Sequence, residues 1–183
     1  MIYILYILYI KFLSIQKNIE EDKLDTNKLN SMRTFITYTS FGHLLSCIIH
    51  FYNYNRILNI TTFCILFTNT IGFWLVEFPK MSPDNNLITN ILGHGPSLIN
   101  YIIFQDSVQF VILKDVQYPI YLSLSWLFFI WYPWYCKTNF PIYESLSNEL
   151  VLKNKIFNIS KILIINCVGF MIYYFYVNHL TKI

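Results

Sequence analysis

Charged side chains are scarce in this chain: Asp, Glu, Lys and Arg make up 13% of its 183 residues, while 55% are hydrophobic and the mean hydropathy is +0.44. A soluble domain must cover itself with polar groups, so this balance excludes an ordinary water-exposed fold. The 13 Lys and Arg and 10 Asp and Glu leave a net charge of +3 but form no basic run and no ladder of basic and aromatic residues. Nucleic acid is therefore not an expected partner. Cys47, Cys64, Cys136 and Cys167 stand singly, without C-x-x-C spacing. They read as small core residues and point to no redox compartment. The apolar start, Met1 to Ile10, has no basic segment before it and no small-x-small cleavage site after it, so it reads as a first helix and not as a signal peptide. Internal repeats and low-complexity linkers are also missing.

What the chain has is apolar length. Aromatic residues reach 19%, with 15 Tyr and 16 Phe, and apolar stretches occupy 1–15, 34–52, 57–78, 87–113, 118–136 and 159–177. Each is near the length that crosses roughly 30 Å of hydrocarbon. The expectation is an all-α fold: one integral membrane domain, 1–183, of about six transmembrane helices joined by short loops. Loops one, three and five carry Lys17, Lys23, Lys28, Arg33, Lys80, Lys137, Lys153 and Lys155. By Lys and Arg count, these odd loops face the cytoplasm.

An ionisable group at membrane depth costs a few kcal/mol, which makes His43, His50, Glu77, His94 and Asp106 candidate site residues. Hydroxyls and amides such as Thr37, Thr39, Ser46, Asn69, Ser97, Ser125 and Asn166 can instead bond between helices, which is the commoner role for any one of them. The second and fourth helices enter from the same side. At roughly 1.5 Å per residue, Thr37 lies roughly 5 Å in and His94 roughly 10 Å in, so the two can meet. A hydroxyl becomes a nucleophile beside a base, and imidazole accepts and returns a proton at neutral pH. Thr37 with His94 fits that requirement; by depth, so does Thr39 or Ser97 with His43. His43 and His50, seven apart, share a helix face, but His50 lies two turns deeper than a common metal site allows. With no H-x-x-x-H pair and no membrane Asp beside them, no metal is expected.

Three segments, Thr34-Phe-Ile-Thr-Tyr-Thr39, Asn90-Ile-Leu-Gly-His-Gly-Pro96 and Phe140-Pro-Ile-Tyr-Glu-Ser-Leu146, resemble in order and spacing the androgen-induced-protein family of multi-pass membrane hydrolases. Gly72-Phe-Trp74 and Trp126 fall where that family has tryptophans. The resemblance implies a threonine hydrolase that cleaves fatty acid esters of hydroxy fatty acids. Its catalytic pair is Thr37, in Ile36-Thr37-Tyr38, and His94; Glu77, Trp74 and Tyr143 wall the substrate pocket, and no cofactor is needed. Animal members often carry two histidines spaced by two residues, the second catalytic, where this chain has His94-Gly-Pro-Ser97. Aligning His94 with the catalytic histidine is one placement; the other puts Ser97 where the base belongs. The expected partner is a lipid substrate in the bilayer of the endoplasmic reticulum or plasma membrane. The alternative is a non-catalytic bundle that binds lipid or regulates another protein.

Overall fold

The computed structural model describes residues 33, 36–51, 55–78, 91–92, 94–104, 110–138, 142–143, 146 and 152–180. The first expected helix, 1–15, and Asp106 lie outside them. The fold is all-α, with no strand among the described residues. Helix α1 is Tyr38–Phe51, and α2 is Arg56–Gly72 with a π-helical continuation over Phe73–Glu77. Helix α3 is Pro96–Phe104; a 3-10 turn, Leu113–Val116, then leads into α4, Gln117–Trp126. Through π-helical Leu127–Trp131, α4 continues into α5, Tyr132–Thr138. The last helix, α6, is Leu152–Phe175 and ends in π-helical Tyr176–Leu180.

Among the described residues, Arg56–Leu75 and Leu152–His179 are long and apolar enough to cross a membrane by length and composition. Two expected boundaries move. Among the described residues of the stretch 87–113, the 9-residue α3 follows a bend at Gly95, and the chain is extended by Ile112, at φ −111 and ψ 152. Asp115 anchors that break: its carboxylate accepts the Ile112 N–H at 3.0 Å and the Arg56 guanidinium at 3.3 Å, leaving the side chain 2% exposed. At the other end, α6 starts at Leu152 and takes in Lys153 and Lys155, which were expected in a loop.

The local chemistry explains why polar residues tolerate these helices. Asn55 caps α2, its side chain accepting the Leu58 N–H at 3.0 Å. The Thr61 and Thr70 hydroxyls donate to the carbonyls of Ile57 and Leu66, one turn back, so neither needs water. In α2 the polar Asn59, Thr61, Thr62, Thr68 and Asn69 are all buried, while Leu44, Ile103, Phe128, Phe129 and Ile164 on other helices are exposed.

Cross-helix contacts fix the directions. Asn69 Nδ2 donates to the Tyr38 carbonyl at one end of the α1–α2 pair, and the short link from Phe51 to Asn55 joins the other end, so the two run antiparallel. Phe73 meets His94 while Phe63 meets Tyr101, which sets α3 antiparallel to α2 and parallel to α1. Ser123 against Tyr38, with Asp115 against Arg56, runs α4 alongside α2. Phe63 against Tyr173 turns α6 back again. Helix α2 is thus central, packing against α1, α3, α4 and α6. The Asn178 amide clasps Val111 on both sides, Oδ1 accepting the Val111 N–H at 3.2 Å and Nδ2 donating to its carbonyl at 2.7 Å.

Two glycines allow the closest approaches. A Cβ on Gly42 would stand 2.5 Å from Asn69 Nδ2 and 2.9 Å from Ile65, and one on Gly169 would stand 2.8 Å from the Phe67 ring. Small residues at such points let backbones approach where no water is present to drive helices together. A Cβ on Gly72 meets nothing within 4 Å. Gly42→Val is therefore expected to lower stability by about 1–3 kcal/mol, whereas Gly72→Ala holds or raises it by about 0.5 kcal/mol. Thermal unfolding of the detergent-solubilised protein, followed by circular dichroism, checks both.

Candidate functional site

A turn leads into α1, with the Thr37 N–H bonded to the Arg33 carbonyl and the Phe41 N–H to the Thr37 carbonyl. From there Thr37, Ser40, His43 and Ser46 recur every three residues and form a polar seam. Thr37 Oγ1 lies 2.7 Å from Ser40 Oγ and accepts the Ser40 N–H at 3.1 Å. Ser46 returns its hydroxyl to the His43 carbonyl at 2.8 Å. His43, 3% exposed, reaches across to α3, where Nε2 lies 2.8 Å from Ser97 Oγ, itself 3% exposed. With the ring proton on Nδ1, Nε2 accepts the serine proton, which is the orientation a general base requires.

His94 stands one turn before Ser97. Its ring lies flat on Phe73, with centroids 4.1 Å apart and planes 4° apart. Trp74 meets the edge of Phe73 at 5.3 Å. Because α1 and α3 run parallel, the His43–Ser97 contact sets His94 at the level of Ser40, whose hydroxyl Thr37 engages. The structure thus brings His43 to Ser97, Thr37 to Ser40, and His94 with Trp74 to Phe73. Thr37 thus bonds to Ser40 within its own turn, while His94 stacks on Phe73 of α2.

The other side of α1 is fastened by aromatics. The Tyr143 hydroxyl accepts the Thr39 N–H at 3.3 Å and lies 3.4 Å from Thr39 Oγ1. Trp126 donates its indole N–H to the Ile36 carbonyl at 2.9 Å and meets the Tyr38 ring edge-on at 5.3 Å. Ser123 gives its proton to the Pro119 carbonyl at 2.7 Å, so Tyr38 must donate to Ser123, at 2.5 Å. Asn166 Nδ2 supplies further donors to the Ser123 and Tyr38 oxygens, at 3.1 and 3.3 Å. Thr37 is thereby bracketed by Ile36 and Tyr38, both locked to α4. The Glu77 backbone closes the π turn that begins at Phe73, and its side chain lies outside the described residues, as does that of His50.

Sequence reasoning passed over Ser40 and Phe73. Ser40 had a signal, the three-residue spacing from Thr37; Phe73 had none, since a ring on another helix is invisible in spacing. No family model, curated protein or solved structure matches the chain. A double-mutant cycle with His43→Leu and Ser97→Ala is expected to give a coupling of about 0.5–1.5 kcal/mol, the net contribution of a buried hydrogen bond. Additive losses in the unfolding free energy would remove that bond.

Proposed function

We propose that the chain is an integral membrane bundle of about six spans that hydrolyses acyl esters of lipids, using a hydroxyl activated by an imidazole inside the bundle. The observation that carries the reading is the buried His43–Ser97 contact between α1 and α3, with the Thr37–Ser40 hydroxyl pair one turn earlier on α1 and His94 one turn earlier on the α3 side, stacked on Phe73. That polar interior belongs to a molecule whose outer surface is apolar, with Ile103 66%, Phe128 65% and Phe129 79% exposed. Water would oppose such a surface, whereas hydrocarbon favours it and demands that polar groups be satisfied within. Helix α6 supports the same setting. Lys161 reaches back over the Phe157 ring, 4.3 Å from its centroid, and His179 lies near the far end. The helical length between them, about 27 Å, approaches the hydrocarbon thickness.

In the mechanism the resemblance suggests, Thr37 Oγ1 attacks the acyl carbonyl as His94 takes its proton. The alcohol leaves with a proton returned by the imidazolium, and an acyl-threonine remains. Water, deprotonated by His94, then attacks the acyl carbon and releases the fatty acid, restoring the threonine. Trp74, beside the Phe73–His94 stack, offers an apolar wall to one acyl chain, Glu77 follows in the same π turn, and Tyr143, at Thr39 on the other side of α1, would meet a second chain. A second reading, favoured by the 2.8 Å contact, has Ser97 as nucleophile and His43 as base.

A fluorophosphonate probe applied to membranes of the endoplasmic reticulum or plasma membrane that contain the protein decides between them. The first reading expects labelling of the wild type, none in Thr37→Ala, and a rate about 100-fold lower in His94→Ala. The second expects Ser97→Ala and His43→Ala to carry those losses instead. Labelling indifferent to all four substitutions, or absent from folded wild type, leaves a non-catalytic lipid-binding or regulatory bundle.

A further inference from the structure

The start of α6 holds a charge in an unusual place. Lys155 is 9% exposed, its neighbours Lys153 and Asn154 are exposed, and it stands in the first turns of the helix. There the backbone N–H groups give the helix end a partial positive charge, which favours an anion close by. Its partners among the described residues are one phenol and that phenol's ring: Nζ donates to Tyr135 Oη at 3.2 Å and sits 4.7 Å from the ring centroid. No carboxylate forms an ion pair with it among the described residues.

The donors in this corner point to what it takes. Having given one proton to Tyr135, the ammonium keeps two for another acceptor. The phenol oxygen, accepting from a cation, becomes a stronger donor through its own O–H. Trp131 stacks on Tyr135 at 5.6 Å and fixes that ring. We propose that Lys155 and Tyr135 form a binding site for an anionic oxygen group, the carboxylate or phosphate of a lipid headgroup at the membrane boundary. A bound anion would neutralise the buried charge and, at the positive end of α6, be favoured by the helix as well. The proposal rests on the membrane reading but not on the ester chemistry.

Trp131 and Trp134 make the site visible by fluorescence. The protein is reconstituted with brominated phosphatidylglycerol, brominated phosphatidylcholine or brominated oleate, and quenching is titrated. Wild type is expected to be quenched by the two anionic lipids at about tenfold lower mole fraction than by phosphatidylcholine. Lys155→Arg keeps this preference, Lys155→Gln abolishes it, and Lys153→Gln leaves it unchanged. Tyr135→Phe, which spares the ammonium, reduces it and guards against loss of fold in Lys155→Gln. Inorganic phosphate that relieves the quenching in wild type assigns the site to a soluble anion; phosphate without effect assigns it to the headgroup. Equal preference in wild type and a helical Lys155→Gln, or no preference in wild type, overturns the site. Flotation with phosphatidylcholine vesicles separates the two levels: protein that fails to float sinks the membrane reading and this site together, while protein that floats without the preference sinks the site alone.

Discussion

The bond from Tyr38 to Ser123, with Asn166 donating to both, is the point on which the arrangement depends. It joins α1, α4 and α6 in one buried node, and Asn69 adds α2 by donating to the Tyr38 carbonyl. Apolar side chains alone give helices little reason to choose one rotation over another when the surroundings are equally apolar. A directional bond supplies that choice. Once Tyr38 faces α4, the three-residue spacing turns Ser40 and His43 toward the other flank of α1. The contact between His43 and Ser97 is therefore a consequence of the node as much as of its own two residues.

The seam works by division of labour between the faces of α1. One flank is rigid, with Trp126 holding the Ile36 carbonyl and Tyr143 holding Thr39. The opposite flank presents hydroxyls and an imidazole to α3. Such a layout holds the polar groups on the α3 side against a fixed backbone. The π-helical turn at Phe73 contributes by placing a ring under His94. An imidazole stacked face to face on an aromatic ring loses much of its freedom to rotate, and its edge nitrogens remain the parts that can meet a proton.

The helical class was legible because apolar runs of span length separated by short polar loops leave few other folds open. The level at which His43 meets Ser97 was legible for a similar reason: helix rise converts residue number into depth, and depth admitted that pair. Rotation was not legible. Depth admits His43 with Thr39 or with Ser97, and only the packed helices choose Ser97, because Thr39 turns toward Tyr143. Among the described residues, π-helical stretches at Phe73–Glu77, Leu127–Trp131 and Tyr176–Leu180 further defeat periodicity, since a π turn shifts the face that a helix shows. The start of α6 was hidden for another reason: Lys153 and Lys155 look like loop residues by charge, and the Tyr135 phenol that receives Lys155 lies on another helix, out of sight of local spacing.

The clasp between Asn178 and Val111 has its own consequence for how the chain tolerates change. A carboxamide carries a donor and an acceptor side by side, so it reads the main chain of its target much as a neighbouring strand would. Recognition of that kind ignores the identity of the residue being gripped. Position 111, wholly buried, is free to vary among aliphatics that fill the same volume, whereas at 178 aspartate would lose the donor and leucine both partners.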